Sequence, residues 1–159
     1  MPDSLADGRT RVYWVPTIAN INAPTVAELN AGTLLHSTMT ADGLEGFEAD
    51  TADVDNSALD STFDTKSAGR ASFSGTMLRL KKQTGTDTLY AFFVRDLIGY
   101  VVIRRDAPSA TAWAASDKVE VYPAVTGETR LLKPEPNSIR KYEVPIKVSS
   151  TPALRSTVA

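Results

Sequence analysis

Alternation of apolar and polar residues in short segments is the feature that most restricts how this chain can fold. It is clearest in Lys118–Val125, where Val119 and Val121 share one side, and in Arg140–Val148, where every second residue from Tyr142 is apolar. A period of two is typical of strands that bury one face. Further candidate strands are Arg11–Val15, Leu34–Thr40, Ala71–Lys82 and Tyr100–Arg105. Turn signals recur about every 8 to 12 residues, which favours a mainly β fold, a β-sandwich or an open barrel.

Two helices are predicted beside the strands. A short N-terminal helix spans Ala23–Gly32, because Thr25 and Glu28 have the spacing of a capping box. Gly32 is the expected left-handed residue at its end. A longer flanking helix spans Asp87–Ile98, where Thr86 or Asp87 can cap the start and Gly99 can close the end. Its apolar stripe consists of Leu89, Phe92, Phe93 and Leu97.

Length and composition indicate one domain. The chain has 159 residues, of which 42% are hydrophobic, and this is enough for a substantial core. We expect a single domain over residues 1–159 with three less regular parts. These are an N-terminal arm (1–10), a long acidic loop (about 48–70) and a flexible C-terminal tail (149–159).

Negative charge is concentrated in the first half of the chain. The segment Ala41–Asp64 contains no Lys or Arg, and its eight acids are Asp42, Glu45, Glu48, Asp50, Asp53, Asp55, Asp60 and Asp64. Residues 1–65 carry a formal charge of -9 and residues 66–159 carry +7, although the whole chain has only -2. Blocks of opposite sign favour head-to-tail contacts between copies. The alternative is that folding brings the two halves together within one molecule.

Motifs of catalysis are absent from the sequence, and we do not expect an enzyme. There is no Cys, and His36 is the only His, which excludes thiolate sites and leaves no base paired with a nucleophile. Neither a G-x-S-x-G elbow nor a phosphate-binding G-K-[ST] motif occurs. No two of the many carboxylates stand out as a glycosidase pair. No cofactor is predicted.

Calcium is the one metal for which the acidic segment offers suitable ligands. Asp50, Asp53, Asp55 and Asp60 carry carboxylate oxygens, but the segment lacks the central Gly and closing Glu of an EF-hand loop. An irregular calcium site therefore stays open as an alternative.

Membrane and nucleic-acid binding are not expected. No apolar run is long enough to span a bilayer, and no signal peptide is expected at the N-terminus. The basic pairs Lys81–Lys82, Arg104–Arg105 and Arg140–Lys141 lie at strand ends without a nucleic-acid motif. A well-patterned β protein with polarised charge and no catalytic set favours the interpretation of an assembly subunit.

Several segments resemble the major tail proteins, or tail tube proteins, of long, non-contractile-tailed bacteriophages. They are Asp7–Thr33, Ser61–Arg70, Gly99–Arg105, Thr111–Ala124 and Val144–Ala159. Together they cover nearly the whole chain in the expected order. The resemblance brings no catalytic residue with it.

The resemblance implies a β-sandwich or barrel flanked by a helix, and a definite assembly. Such proteins form hexameric rings whose sheets join into a continuous inner barrel, and the rings stack into a hollow tube that delivers the genome. The partners are then other copies of the chain, with tape-measure, tail-terminator and distal-tail proteins at the tube ends. The subunit belongs to the virion and is assembled in the host cytoplasm.

Two roles for the acidic segment follow from this resemblance. Carboxylates in the lumen repel DNA over about 8 to 10 Å in physiological salt, so DNA passes without specific binding. The candidates for the lumen are Asp42, Glu45, Glu48, Asp50, Asp53 and Asp55. The rival hypothesis is that residues 50–70 form a stacking loop. The candidates for contacts between rings or subunits are Asp60, Asp64, Lys66, Arg70, Arg79, Lys81, Arg104 and Arg105.

Two other classes of protein remain as alternatives. One is a phage capsid-decoration or head–tail joining protein, which forms rings or monomers but no long tubes. The other is a carbohydrate-binding β-sandwich, for which Tyr13, Trp14 and Trp113 are the only aromatic candidates.

Overall fold

The computed structural model describes residues 2–159, which form eleven strands and two short helices. Strand content is 40% and helix content 6%, so the prediction of a mainly β fold is confirmed. The elements are β1 (Arg11–Val15), α1 (Val26–Asn30), β2 (Thr33–Leu34), β3 (Met39–Glu45), β4 (Asp50–Asp55), β5 (Lys66–Ser72), β6 (Met77–Lys81), α2 (Thr88–Phe92), β7 (Ile98–Arg104), β8 (Lys118–Thr126), β9 (Arg130–Leu131), β10 (Lys141–Val148) and β11 (Ala153–Thr157).

Nine of the strands form one antiparallel sheet that curls into a half-barrel. Its order is β2-β1-β7-β8-β10-β6-β3, with β11 added beside β8 and β9 beside β10. The curl arises in β10, because Ile146–Val148 pairs with β8 whereas Lys141–Pro145 pairs with β6. The two remaining strands, β4 and β5, form a separate hairpin.

Two apolar clusters lie on opposite sides of the sheet. The concave side holds the larger one, in which Trp14, Tyr122 and Tyr142 are buried. The convex side is covered by α1, whose Leu29 is buried, and by the end of the chain. As a result β7 and β8 are buried on both faces, and Val101 and Val102 point to opposite clusters.

The first helix has the predicted N-cap at Thr25, but it spans Val26–Asn30 and is shorter than the predicted Ala23–Gly32. Thr25 Oγ1 accepts a hydrogen bond from Glu28 N (3.2 Å), and Glu28 Oε1 accepts one from Thr25 N (3.0 Å), which completes the capping box. The prediction that Gly32 ends the helix in a left-handed conformation is wrong, since Gly32 is not among the residues with positive φ. A Cβ there would lie 2.8 Å from Trp14 O, so close packing on β1 requires the glycine.

The second helix is shorter than predicted. Asp87 caps it by accepting from Tyr90 N (3.1 Å), but the helix ends at Phe92 rather than Ile98. Residues 94–97 turn back toward β8, where Asp96 N donates to Thr126 O (3.0 Å) and Asp96 has a φ of 64°. Ile98 then begins β7, because pairing with β8 overrides the helical period of the apolar residues.

Three further segments differ from the expectations, namely the acidic loop, one predicted strand and the C-terminal tail. Most of the predicted acidic loop, 48–70, is the hairpin of β4 and β5. The predicted strand Ala71–Lys82 is divided between β5 and β6 by a turn at Gly75, whose φ is 65°. The tail 149–159 contains β11, which pairs with β8, and Val158 is buried. The expected arm, 1–10, includes Met1, which lies outside the described residues, and residues 2–8 are exposed.

Candidate assembly surfaces

The hairpin of β4 and β5 projects from the domain. Every residue of its two strands is exposed except Gly69, which is half-buried. Among the described residues, the two strands contact chiefly each other. A two-stranded hairpin without a core is at best marginally stable in water. A surface of this kind is therefore typical of a segment that is covered in an assembly.

The acids of the hairpin are divided between its two faces. Asp53 and Asp55 share one face with Lys66, whose ammonium lies 3.3 Å from Asp53 Oδ2. This ion pair is exposed, so its contribution to stability is about 0–1 kcal/mol. Asp50 and Val54 point to the opposite face, because side chains alternate along a strand. Hence Asp50 and Asp53 do not belong to one continuous acidic surface.

The tip of the hairpin, residues 56–65, carries two exposed apolar side chains. Leu59 is fully exposed, and the exposed fraction of Phe63 is 75%. Hydrogen bonds close the base of the tip, with Asn56 N donating to Thr65 O (3.2 Å) and Thr65 Oγ1 donating to Asn56 Oδ1 (2.7 Å). Large apolar side chains presented on such a segment indicate an interaction surface.

A network of charges lies on the outer side of β3, β6 and β10. Arg79 contacts the carboxylates of three residues, at 2.9 Å, 2.9 Å and 3.2 Å, namely Asp42, Glu45 and Glu143. Burial lowers the pKa of Arg79, but the carboxylates of Asp42 and Glu143 outweigh this effect and raise it. A hydrogen bond from the Thr40 hydroxyl, assisted by the charge of Arg79, holds the pKa of Asp42 below its ordinary value.

This network satisfies Arg79 within its own chain. Arg79 and Glu143 lie directly opposite each other in β6 and β10, and both side chains are largely buried. The prediction of Arg79 as a contact to another subunit loses support for this reason. Lys81 and Lys141 form the next cross-strand pair on the same face, and neither makes a salt bridge within residues 2–159. The outer face is thus mixed in charge and not uniformly acidic.

Arg104 is internal, which contradicts its prediction as a contact residue. Its exposed fraction is 1%, and its guanidinium pairs with Asp117 Oδ2 at 2.9 Å. It also donates to the carbonyls of Pro108, Ala112 and Thr111. A side chain this enclosed offers no surface to a neighbour. It holds the loop between β7 and β8 in place instead.

The other predicted contact residues lie on the surface. Asp60 and Asp64 are exposed at the hairpin tip, and Arg70 is exposed in β5 near the domain. Arg105 is exposed and forms an ion pair with Glu120. Glu48, the last of the lumen candidates, is exposed in the connection between β3 and β4.

The aromatic residues proposed for a carbohydrate site are unsuitable. Trp14 is 1% exposed and Trp113 is 4% exposed, so neither can stack against a sugar. Tyr13 is half-buried and packs edge-on against Trp113, with the Arg11 guanidinium 4.7 Å from its ring centroid. This contradicts the alternative of a carbohydrate-binding module on these residues.

The part of the chain from residue 2 to residue 159 contains neither a grouped metal-ligand set nor a membrane-spanning helix. Within this range no three His, Asp or Glu side chains are grouped so as to hold a metal ion. None of the helices in that part of the chain has the length and apolar content needed to cross a bilayer. His36 Nδ1 faces Val12 N at 3.4 Å, and burial lowers the pKa of its imidazole.

Comparisons with known proteins show which folds and which family this chain resembles. Among solved structures, it resembles a chain of the "Cryo-EM structure of the anti-feeding prophage (AFP) baseplate, 6-fold symmetrised", with a TM-score of 0.62 over 94% of this chain and 95% of that one. The identity is 9%, so this likeness is one of fold. No curated protein matches the sequence. The family described as "Phage tail tube protein" matches residues 1–159. The protein therefore belongs to the phage tail tube protein family, whose members are structural components of the virion.

Proposed function

We propose that this chain assembles into stacked rings that form the hollow tail tube of a long, non-contractile-tailed phage, through which DNA is delivered. The observation that carries the proposal is the exposed hairpin of β4 and β5 with its apolar tip. Because the hairpin gains little from its own domain, a neighbouring subunit is the natural source of its stabilisation. A head-to-tail contact that does not close on itself builds a filament.

Six subunits per ring is the symmetry that we propose. The related baseplate structure was symmetrised six-fold, and its chain has this fold. The outer edge of β3 supplies a means of ring closure, since β3 ends the main sheet with no strand partner on that side among residues 2–159. Unpaired edges template pairing with another chain. Sheets joined in this way would surround a continuous channel.

The acids take two separate roles in this arrangement. We assign Asp42, Glu45 and Glu48 to the channel and the hairpin to the contact with the next ring. Arg79 neutralises part of the charge of Asp42 and Glu45 but leaves three carboxylates around one guanidinium. Repulsion of phosphates then acts over about one Debye length, and DNA moves without specific binding.

The remaining members of the tail are the other proposed partners. The tape-measure protein would lie in the channel, and the tail-terminator and distal-tail proteins would contact the two ends of the tube. Assembly would take place in the host cytoplasm. Membrane contact by this chain is not part of the proposal.

Negative-stain electron microscopy of the purified protein tests the assembly. We expect hollow tubes of uniform width to form as concentration rises, with a dependence on salt because charged surfaces meet. Closed rings or monomers at every concentration and salt, even after addition of tail tips isolated from the phage as nuclei, would contradict the tube. Such a result would favour the alternative of a capsid-decoration or head–tail joining protein.

A further inference from the structure

A groove opens on the side of the sheet to which Ile103 points, which is the side of the larger apolar cluster. It lies between the ends of β7, β8 and β11 and has a volume of about 420 Å³. Leu154 on β11 contributes apolar surface, and its exposed fraction is 42%. This volume is within the range of pockets that enclose small molecules, roughly 300–1,000 Å³. It is also wide enough for large side chains from another chain.

The rim of this groove is positively charged on balance. Arg105, Lys118 and Arg155 line it together with two acids, Asp106 and Glu120. Glu120 is already engaged by Arg105. Arg155 makes no salt bridge within the described chain, and the Lys118 ammonium donates to the Thr157 hydroxyl rather than to a carboxylate. Two cations of the rim are therefore free to meet an acidic partner.

The hairpin tip has the complementary properties. Residues 56–65 contain Asp60 and Asp64 and no Lys or Arg, and they present Leu59 and Phe63 to solvent. The tip cannot reach the groove of its own chain. Leu154 lies close to the root of the hairpin, since Ala71 and Leu154 line one further cavity. Six residues of β4 carry the tip about 20 Å away from that root.

We infer that the groove beside β11 receives the hairpin tip of a second copy of this chain. Leu59 and Phe63 enter the groove, and Asp60 and Asp64 meet Lys118 and Arg155 at its rim. Each copy then offers one tip and one groove, so the contact repeats without limit along the assembly. The inference rests on the proposed function in assigning the hairpin to the contact with the next ring, and it names the surface that the hairpin binds.

Cysteine crosslinking tests this contact directly, because the natural chain has no Cys. In the double variant Leu59→Cys/Leu154→Cys, mild oxidation should produce a ladder of trimers and larger oligomers on a non-reducing gel. Each single variant alone can form only dimers. Both positions are exposed, so the fold should be retained, which circular dichroism checks. A disulfide requires Cβ atoms about 3.5–4.5 Å apart. A short bismaleimide crosslinker joins cysteines that lie slightly farther apart than this.

The matched control is Leu59→Cys/Ile139→Cys, since Ile139 is similarly exposed but lines a cavity with Lys141 and not the groove. A ladder in the control pair as strong as that in the Leu154 pair would overturn the assignment. So would dimers alone in the Leu154 pair. Tubes that form without a crosslinked ladder would contradict docking in the groove but support the proposed tube. A crosslinked ladder without tubes would support docking in the groove but contradict the proposed tube.

A second measurement does not depend on crosslinking. Phe63→Ser removes an apolar contact without changing the charge of the tip, and Arg155→Glu inverts the charge of one cation of the rim. Each should raise the critical concentration for assembly at least about tenfold. Combining Asp64→Lys with Arg155→Glu should recover part of the loss, because the two charges are exchanged. Equal critical concentrations for the natural chain and Phe63→Ser would contradict the docking of the tip.

Discussion

Arg104 Nη1 lies 2.9 Å from Asp117 Oδ2, and this ion pair connects the end of β7 to the residue that precedes β8. Arg104 is 1% exposed, and every other hydrogen bond of its guanidinium goes to a backbone carbonyl of the intervening loop. Removal of one partner from a buried pair leaves the other charge without compensation. The monomer therefore depends on this pair, whatever its assembly.

Asp117→Ala should destabilise the monomer strongly. We expect the free energy of unfolding to fall by about 3 kcal/mol, because the charge of Arg104 stays buried. Chemical denaturation at low protein concentration, where the chain is not assembled, measures the change. Arg105→Ala is the control, since its ion pair with Glu120 is partly exposed and should account for about 0–1 kcal/mol. Similar losses of unfolding free energy in the two variants would contradict the dependence of the monomer on the buried pair of Arg104 and Asp117.

The N-cap of α2 should make stability depend on pH. Asp87 Oδ2 accepts from Gln83 N (2.7 Å) and Oδ1 accepts from Tyr90 N (3.1 Å). Burial raises the pKa of Asp87, but these hydrogen bonds and the charge of Lys82 outweigh it and lower the pKa below the ordinary value of 3.8. A lowered pKa stabilises the folded state above the unfolded-state value, and this contribution is lost as pH falls through the folded-state pKa.

Asp87→Ala should accordingly lower the free energy of unfolding by about 1–2 kcal/mol at pH 7. The difference from the natural chain should shrink once pH falls below 3.8. Denaturation curves between pH 7 and pH 3 provide the measurement. Asp96→Asn is a suitable control for the loss of a surface charge, because Asp96 is exposed, its ion pair with Arg95 is also on the surface, and Asn tolerates the φ of 64° at this position. A difference that stays constant over the whole pH range would contradict the role of the Asp87 charge.

Local signals in the sequence identify the regular parts of this fold. The capping box of Thr25 and Glu28 requires only neighbours in the chain, and it is present as predicted. The alternation in Lys118–Val125 is preserved in the structure, with Val119 and Val121 buried. The predicted end of the longer helix at Ile98 is wrong, because hydrogen bonds to Thr126, about thirty residues away, hold the residues that follow Phe92. A helical period carries no information about such a distant competitor.

The functional surfaces were harder to predict, because charge alone does not reveal burial. Arg104 and Arg105 are adjacent in sequence, yet one is internal and the other exposed. The acid-rich composition of the hairpin predicts a role for its carboxylates, whereas its most unusual structural feature is the exposure of Leu59 and Phe63. Leu59 and Phe63 follow neither a strand period nor a helix period in the sequence. Their exposure is evident only from the structure, in which no core lies beside them.

Removal of the hairpin should separate folding from assembly. Residues 52–70 can be replaced by Asn-Gly, a dipeptide suited to a two-residue turn, because Thr51 and Ala71 are cross-strand partners. The free energy of unfolding should change by less than about 1 kcal/mol, since the hairpin has no core of its own. Tubes should be absent by electron microscopy. A variant that still forms tubes of normal width would show that the hairpin is not the contact between rings.

Charge reversal at two separate places should distinguish the channel from the contact between rings. Asp53→Lys/Asp55→Lys changes one face of the hairpin and should prevent tube growth, because it places cations where the next ring is expected to meet acids. Glu45→Lys/Glu48→Lys changes the surface assigned to the channel. It should allow tubes to form but reduce DNA delivery, since a cationic lumen binds phosphates through release of their counterions.

Phages carrying each variant would be compared for tail length by electron microscopy and for infectious titre per particle. Asp3→Lys/Asp7→Lys, which makes the same change in net charge on the N-terminal arm, is the control for charge alone. Normal tails and a normal titre for both test variants would reject both assignments. Loss of tails in the Glu45→Lys/Glu48→Lys variant alone would instead assign Glu45 and Glu48 to the contact between rings and the hairpin acids to the channel.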